Sequence, residues 1–156
     1  MDRVALTIEG SLKYWKRFKN RRYNLEKFDH NFNMNYSVCV SAANINAKAI
    51  IAYTDTGSTS RTVSSFGPEC PIYAITSNEV TYRQLGLCWN IIPKLLPKQD
   101  TIDKLVYLGV DKLKQEGLLE KGDVAVIAGG AKAVSEMQEN EADINRSMGG
   151  IIRIWN

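Results

Sequence analysis

The sequence predicts an α/β protein: a three-layer α/β/α sandwich built on a mostly parallel, five-stranded sheet. Two observations carry this. Short, unbroken apolar runs such as Ala49-Ile50-Ile51-Ala52-Tyr53 have the length and continuity of strands covered on both faces. Between the runs, apolar residues recur every three or four positions, the period of a helix with one buried side. Strands alternating with helices imply parallel pairing with helices on both faces. A chain of 156 residues fits one domain with a sizeable core.

In chain order, residues 2–20 read as a helix, because Val4, Ile8, Leu12, Trp15 and Phe18 form one stripe. The polar stretch 20–29 breaks that period and reads as a connector. Residues 1–30 are therefore set apart from a main body spanning 31–156. A second helix is expected over 31–47, with Met34, Val38, Ala42 and Ile45 on its buried face. The apolar run 49–53 is the first strand. Residues 58–66 form a short helix, capped by the hydroxyl of Ser58 or Thr59 and stopped by Gly67-Pro68. Residues 71–75 form the next strand, and Ser77 or Asn78 caps a helix running through Leu87. Residues 90–93 form a third strand. The stripe Ile102, Leu105, Val106, Val110 and Leu113 places a long helix over 100–117, ended by Gly117. Residues 123–128 and 150–155 complete the strands, the last at an edge.

In such sheets ligands bind beyond the carboxyl ends of the strands. One such end carries Thr54-Asp55-Thr56-Gly57-Ser58-Thr59-Ser60-Arg61, between a strand and a helix N-terminus. The first N–H groups of a helix and its dipole attract anions. Gly57 permits close backbone approach, and Thr54, Thr56, Ser58, Thr59 and Ser60 can donate hydrogen bonds. Together these suit a phosphate; the plainer alternative is a helix cap with surplus hydroxyls. The Gly-Lys-Ser/Thr ending of a nucleotide-triphosphate loop is absent. Asp55 opposes an anion unless its carboxylate turns away.

Few other residues suggest chemistry. His30 is the one histidine, so no Ser-His-Asp or Cys-His arrangement can be built. Glu136, Glu139, Glu141 and Asp143 read as a solvated run without the spacing of a cation site. Gly129-Gly130 follows a strand but lacks a dinucleotide-loop pattern. Cys39, Cys70 and Cys88 show no paired spacing and read as reduced, cytoplasmic thiols. Lys13, Lys16, Arg17, Lys19, Arg21 and Arg22 cluster in ten positions. They read as a solvated helix face, a phosphate or RNA patch being the sharper alternative. A net charge of +3 is too small to argue for nucleic acid. No apolar run reaches the roughly 20 residues of a bilayer span, and Glu9 and Lys13 interrupt any signal-peptide core, so no membrane partner is expected.

Several motifs occur together in one order. Ala47-Lys48-Ala49-Ile50-Ile51-Ala52-Tyr53-Thr54-Asp55-Thr56-Gly57-Ser58-Thr59 resembles the "A-K-A-I-hydrophobic…T-x-S-G-x-S/T" segment of the pyruvate kinase C-terminal domain. Val63-Ser64-Ser65-Phe66-Gly67-Pro68 and Pro71-Ile72-Tyr73-Ala74-Ile75-Thr76 resemble its "V-S-x-(Y/F)-R-P-x-x-P-I-hydrophobic-A-V-T" segment. Trp89-Asn90-Ile91-Ile92-Pro93 is similar to its "W/Y-G-V-x-P" strand. Residues 120–129, Glu-Lys-Gly-Asp followed by an apolar run and Gly, resemble its "K-x-G-D" stretch. The matches run from about residue 31 to 156, and residues 2–20 look similar to the last helix of that family's catalytic barrel.

The resemblance implies an antiparallel edge strand at the end of the sheet and a regulatory and assembly role in a larger enzyme. That enzyme moves a phosphoryl group from phosphoenolpyruvate to ADP with magnesium and potassium. Its catalytic and metal-binding residues lie in the barrel, so no catalytic residue, metal or cofactor is expected in this chain. The family's effector loop maps onto Thr54, Asp55, Thr56, Gly57, Ser58 and Thr59. The expected partners are a sugar phosphate or inorganic phosphate, the barrel, and further copies of the chain, paired through residues 151–155. Two departures stand out: Asp55 replaces a neutral or basic residue, and the family's Trp and Arg clamp has no clear match in residues 131–147. They imply that a sugar bisphosphate is not held tightly. A standalone small-molecule-binding module of the same fold, and an independent enzyme using this loop, are the alternatives.

Overall fold

The central strand is β1 (Ala49–Tyr53), buried at every position because it is covered on both faces and paired on both edges. A computed structural model describes residues 12–21, 30–129 and 151–155. Its helices are α1 (Tyr14–Asn20), α2 (His30–Asn44), α3 (Ser58–Ser65), α4 (Glu79–Leu85) and α5 (Ile102–Gln115). With β2 (Ile72–Thr76), β3 (Ile91–Leu95), β4 (Ala125–Gly129) and β5 (Ile151–Trp155), β1 forms a sheet of order β3-β2-β1-β4-β5. β1 runs parallel to β2 and β4, with Ile51 opposite both Tyr73 and Ile127. β3 is parallel to β2, and β5 is antiparallel to β4.

The alternation of side chains along β1 divides the core in two. Ile50 and Ala52 join Ile72, Ala74, Val126 and Ala128 beneath Val38, Val63 and Leu85 of α2, α3 and α4. Ala49, Ile51 and Tyr53 join Tyr73, Ile75, Ala125 and Ile127 beneath Val106, Val110 and Leu113 of α5. The connections from β1 to β2 to β3 move one way with helices on the first face. The connection from β3 to β4 returns past β1 with its helix on the second face, as right-handed crossovers require. The direction of winding therefore reverses at β1. Pro93 is accommodated because β3 is an edge strand.

α5 comes unusually close to the sheet at Gly109. A Cβ there would lie 2.3 Å from Tyr53 Oη and 2.6 Å from Ile75 Cδ1. The bare backbone lets the Tyr53 hydroxyl donate to the Val106 carbonyl at 3.1 Å. Burial raises the pKa of that hydroxyl and keeps it a donor.

α1 packs through an aromatic cluster. Phe18, 4% exposed, contacts Tyr36 of α2 and Phe66 beyond α3, with ring centroids 5.5 and 6.4 Å away. Phe32 meets Phe66 edge-on at 4.9 Å. The stripe of Trp15 and Phe18 thus finds its partner on the first face of this sheet. Val4 and Ile8 of the same predicted stripe, and most of the expected connector, lie outside the described residues.

Several predicted details change. α2 ends at Asn44 instead of residue 47, and Ile45 is exposed rather than on the buried face. Asn46 adopts φ +51°, which helical geometry does not allow, so the chain has already turned. The buried stripe of α2 is Asn35, Val38, Cys39 and Ala42. α4 ends at Leu85 rather than Leu87, and Asn78, not Ser77, caps it by accepting from Val80 and Thr81 N–H. α5 is capped by Thr101, and Gly117 at φ +68° follows its end.

All three cysteines are free. Burial raises the Cys39 thiol, aided by nearby Cys70, and pushes Cys70 up to about 12. Among the described residues no helix is long and apolar enough to cross a membrane.

Two predictions follow from this packing. Gly109→Ala gains about 1 kcal/mol of helix propensity but forces overpacking worth about 1–3 kcal/mol. It should lower the urea midpoint without changing the slope of the transition. A thiol-reactive chromophore at pH 8 should titrate one group, Cys88, in the folded chain and all three after unfolding, because the buried thiols do not ionise. Cys88→Ser should remove the fast reaction.

Candidate functional site

The loop after β1 lies at the point where the winding of the sheet reverses, the position where open α/β sheets hold ligands. The Thr54 amide continues the ladder by donating to the Ile75 carbonyl at 3.0 Å. The chain then turns sharply. Thr54 Oγ1 accepts from Gly57 N at 2.9 Å, which draws Thr54 inward to 4% exposure. Its hydroxyl closes the turn rather than facing outward.

Gly57 adopts φ +81° and is the residue preceding α3. A Cβ at this position would meet Leu85 Cδ2 at 3.1 Å and the Arg61 guanidinium at 3.2 Å. Left-handed backbone and crowding together call for glycine. The predicted cap by Ser58 or Thr59 is not formed. Both residues lie inside the helix, and Gly57 in the capping position has no side chain to offer. The first bond of the helix is donated by Arg61 N to the Gly57 carbonyl at 3.0 Å. The amides of Ser58, Thr59 and Ser60 precede that bond, and no side chain caps them.

The remaining side chains sort by exposure. Thr56 and Ser58 are exposed, and Thr56 Oγ1 donates to Ser58 Oγ at 3.2 Å. Thr59 is 6% exposed and Ser60 is fully buried, its Oγ without a hydrogen bond among the described residues. Asp55 is fixed at two points by α4 and the turn before it. Its carbonyl accepts from Thr81 Oγ1 at 2.7 Å, and its carboxylate accepts from Ser77 Oγ at 3.4 Å. The carboxylate thus turns to the end of β2. On the α5 side of the strand tips a small cleft is lined by Tyr53, Thr54, Asp55, Ser77, Lys98 and Leu105, among others.

Arg61 was not singled out from the sequence. Side chains on a helix lean toward its N-terminus, and that of Arg61 reaches back to donate to the Thr56 carbonyl and Gln84 Oε1, both at 3.1 Å. This places a cation at the rim of the loop. Its position four residues into the helix is the only signal that pointed to it.

Of the other described candidates, Gly129 ends β4 beside Tyr53. His30 is exposed at the start of α2. Glu136, Glu139, Glu141, Asp143, Gly130 and the segment 131–147 lie outside the described residues. Among the described residues no three His, Cys, Asp or Glu side chains form a group able to hold a metal ion.

Comparisons with known proteins agree with this architecture. The family model for the pyruvate kinase alpha/beta domain matches residues 33–144. The pyruvate kinase of Clostridium acetobutylicum is 36% identical over 130 residues, covering 83% of this chain and 27% of that protein. The pyruvate kinase of Sporosarcina psychrophila is 31% identical over 134 residues, covering 83% of this chain and 22% of that protein. The chain thus spans about a quarter of the length of the curated relatives it matches. A crystal structure of a Cryptosporidium parvum pyruvate kinase superposes with a TM-score of 0.73 over 94% of this chain and 27% of that one. At 21% identity it is similar in fold. With the family model covering most of the chain, this protein belongs to the pyruvate kinase alpha/beta domain family.

Proposed function

We propose that this chain serves as the regulatory and assembly domain of a pyruvate kinase, and that residues 54–59 sense a phosphate group without transforming it. The observation that carries this reading is the start of α3. Three consecutive amides precede its first hydrogen bond, behind a glycine turn, at the reversal point of the sheet. Such amides, with the helix dipole, favour an anion of phosphate shape. Exposed Thr56 and Ser58 add donors, and Arg61 adds charge at the rim. Thr54 and Gly57 shape the turn, and Asp55 is held toward Ser77.

The phosphoryl transfer from phosphoenolpyruvate to ADP is assigned to polypeptide outside this sequence. That chemistry needs metal ions and cationic groups gathered round the moving phosphate. Among the described residues no group of His, Cys, Asp or Glu side chains is arranged to hold a magnesium ion. The partners in this reading are the catalytic barrel, a sugar phosphate or inorganic phosphate, and further copies of the chain meeting at β5, an edge strand.

Calorimetry with inorganic phosphate, ribose 5-phosphate and fructose 1,6-bisphosphate tests the loop. Binding is expected, and Thr56→Ala with Ser58→Ala, which removes the two exposed hydroxyls of the loop, should weaken it about tenfold or more, since a hydrogen bond to a charged group is worth roughly 1.5–3 kcal/mol. Unchanged affinity in that variant would show the site to be elsewhere. In a coupled assay the 156-residue chain should give no pyruvate from phosphoenolpyruvate and ADP; measurable turnover that survives repurification would overturn the division of labour.

A further inference from the structure

We propose that the outward face of α1, together with Trp89, is a binding surface for a single-stranded polynucleotide. Lys13, Lys16, Arg17, Lys19 and Arg21 are all exposed within nine positions. Among the described residues Lys13, Lys16, Arg17 and Lys19 form no ion pair. Among the described residues, the segments packed on α1 do not compensate the charge. α1 packs on α2, on Phe66 and on the turn before β3. Residues 30–44, 58–68 and 86–90, which supply those contacts and α3 between them, contain no Asp or Glu. Among the described residues, this face is therefore concentrated in positive charge despite the small net charge of the chain.

An aromatic platform adjoins it. Tyr14, in the first turn of α1, packs against Trp89 with ring centroids 5.2 Å apart. Trp89 keeps 42% of its surface exposed, and its carbonyl is pinned by Ser64 Oγ at 2.6 Å. Cations that follow a phosphate backbone beside an indole on which a base can stack are the two elements of single-strand recognition. An anionic bilayer would also meet the cations. Yet a helix lying in a membrane interface must bury its apolar face in lipid, and here Phe18 packs on Tyr36 and Phe66 while Trp15 meets Phe18 edge-on against the same core. The charge and the stacking surface are exposed while the lipid-seeking side is not, which favours the polynucleotide.

The test uses the full chain and fluorescein-labelled 12-residue oligo(U) and oligo(dT), followed by anisotropy at several salt concentrations. Binding should weaken with salt, with a logarithmic slope of about −3 if four phosphates are contacted, at roughly −0.7 each. The two oligomers together decide whether ribose matters. Lys16→Glu with Lys19→Glu should reduce affinity at least tenfold and flatten the slope by about 1.4. Trp89→Ala should reduce affinity about tenfold with the slope unchanged, since stacking carries no counterion cost. Circular dichroism checks that each variant folds. The lysine variant alters only exposed side chains and keeps the test decisive if Trp89→Ala unfolds. Failure of both oligomers to bind in 50 mM salt overturns the proposal. So does undiminished affinity in the lysine variant, or binding to phosphatidylserine vesicles with none to either oligomer. Phosphate binding at residues 54–59 is measured separately and is unaffected by any of these outcomes.

Discussion

The structure depends on the complete enclosure of β1. Its five side chains alternate between two apolar clusters, and both of its edges are paired in parallel register. No position on the strand can turn to water, so a one-residue slip would exchange the contents of both clusters at once. That constraint fixes where the strand ends. Thr54 still shares a ladder bond with Ile75, and only beyond it is the backbone free to turn. The loop inherits its position from the strand rather than from contacts of its own.

The two faces are closed differently. On one, α5 needs a bare backbone at Gly109 so that Tyr53 can lie beneath it and bond to Val106. On the other, Val38, Cys39 and Ala42 of α2, Val63 of α3 and Leu85 of α4 settle on Ile50, Ala52 and their neighbours. Tyr53 also lines the cleft beside the loop, so the closure of the second face and the shape of the strand tip share one residue. On the first face, the aromatic cluster round Phe66 extends the core outward and holds α1. A short basic helix is thereby given a fixed orientation that its own seven residues could not maintain in water.

At the candidate site, charge and hydrogen bonding are partitioned among residues that adjoin in sequence. Thr54 is committed to the turn, Asp55 to Ser77 and Thr81, and Arg61 to the Thr56 carbonyl and Gln84. Those commitments leave the first amides of α3 without a side-chain acceptor. Asp55 and Arg61 thus have opposite consequences: the Asp55 carboxylate is turned toward Ser77 while its carbonyl is held by Thr81 of α4, and the Arg61 guanidinium reaches back to the loop.

The sequence by itself determined the alternation of strands and helices, the buried strands, and the place of the loop at a strand end. Those features rest on periodicity, which repeats along the chain and is readable without partners. The motif order likewise announced the family. Tertiary structure alone decided which hydroxyls face inward, that Gly57 rather than Ser58 or Thr59 precedes the helix as its cap, and that Arg61 reaches the loop. It also decided that Phe18 and Trp15 pack on this domain while the lysines beside them remain exposed. Each of these depends on contacts between residues far apart in sequence or on a backbone angle set by crowding. A linear pattern records which side chains are available; only the packed fold assigns the partner that each one takes.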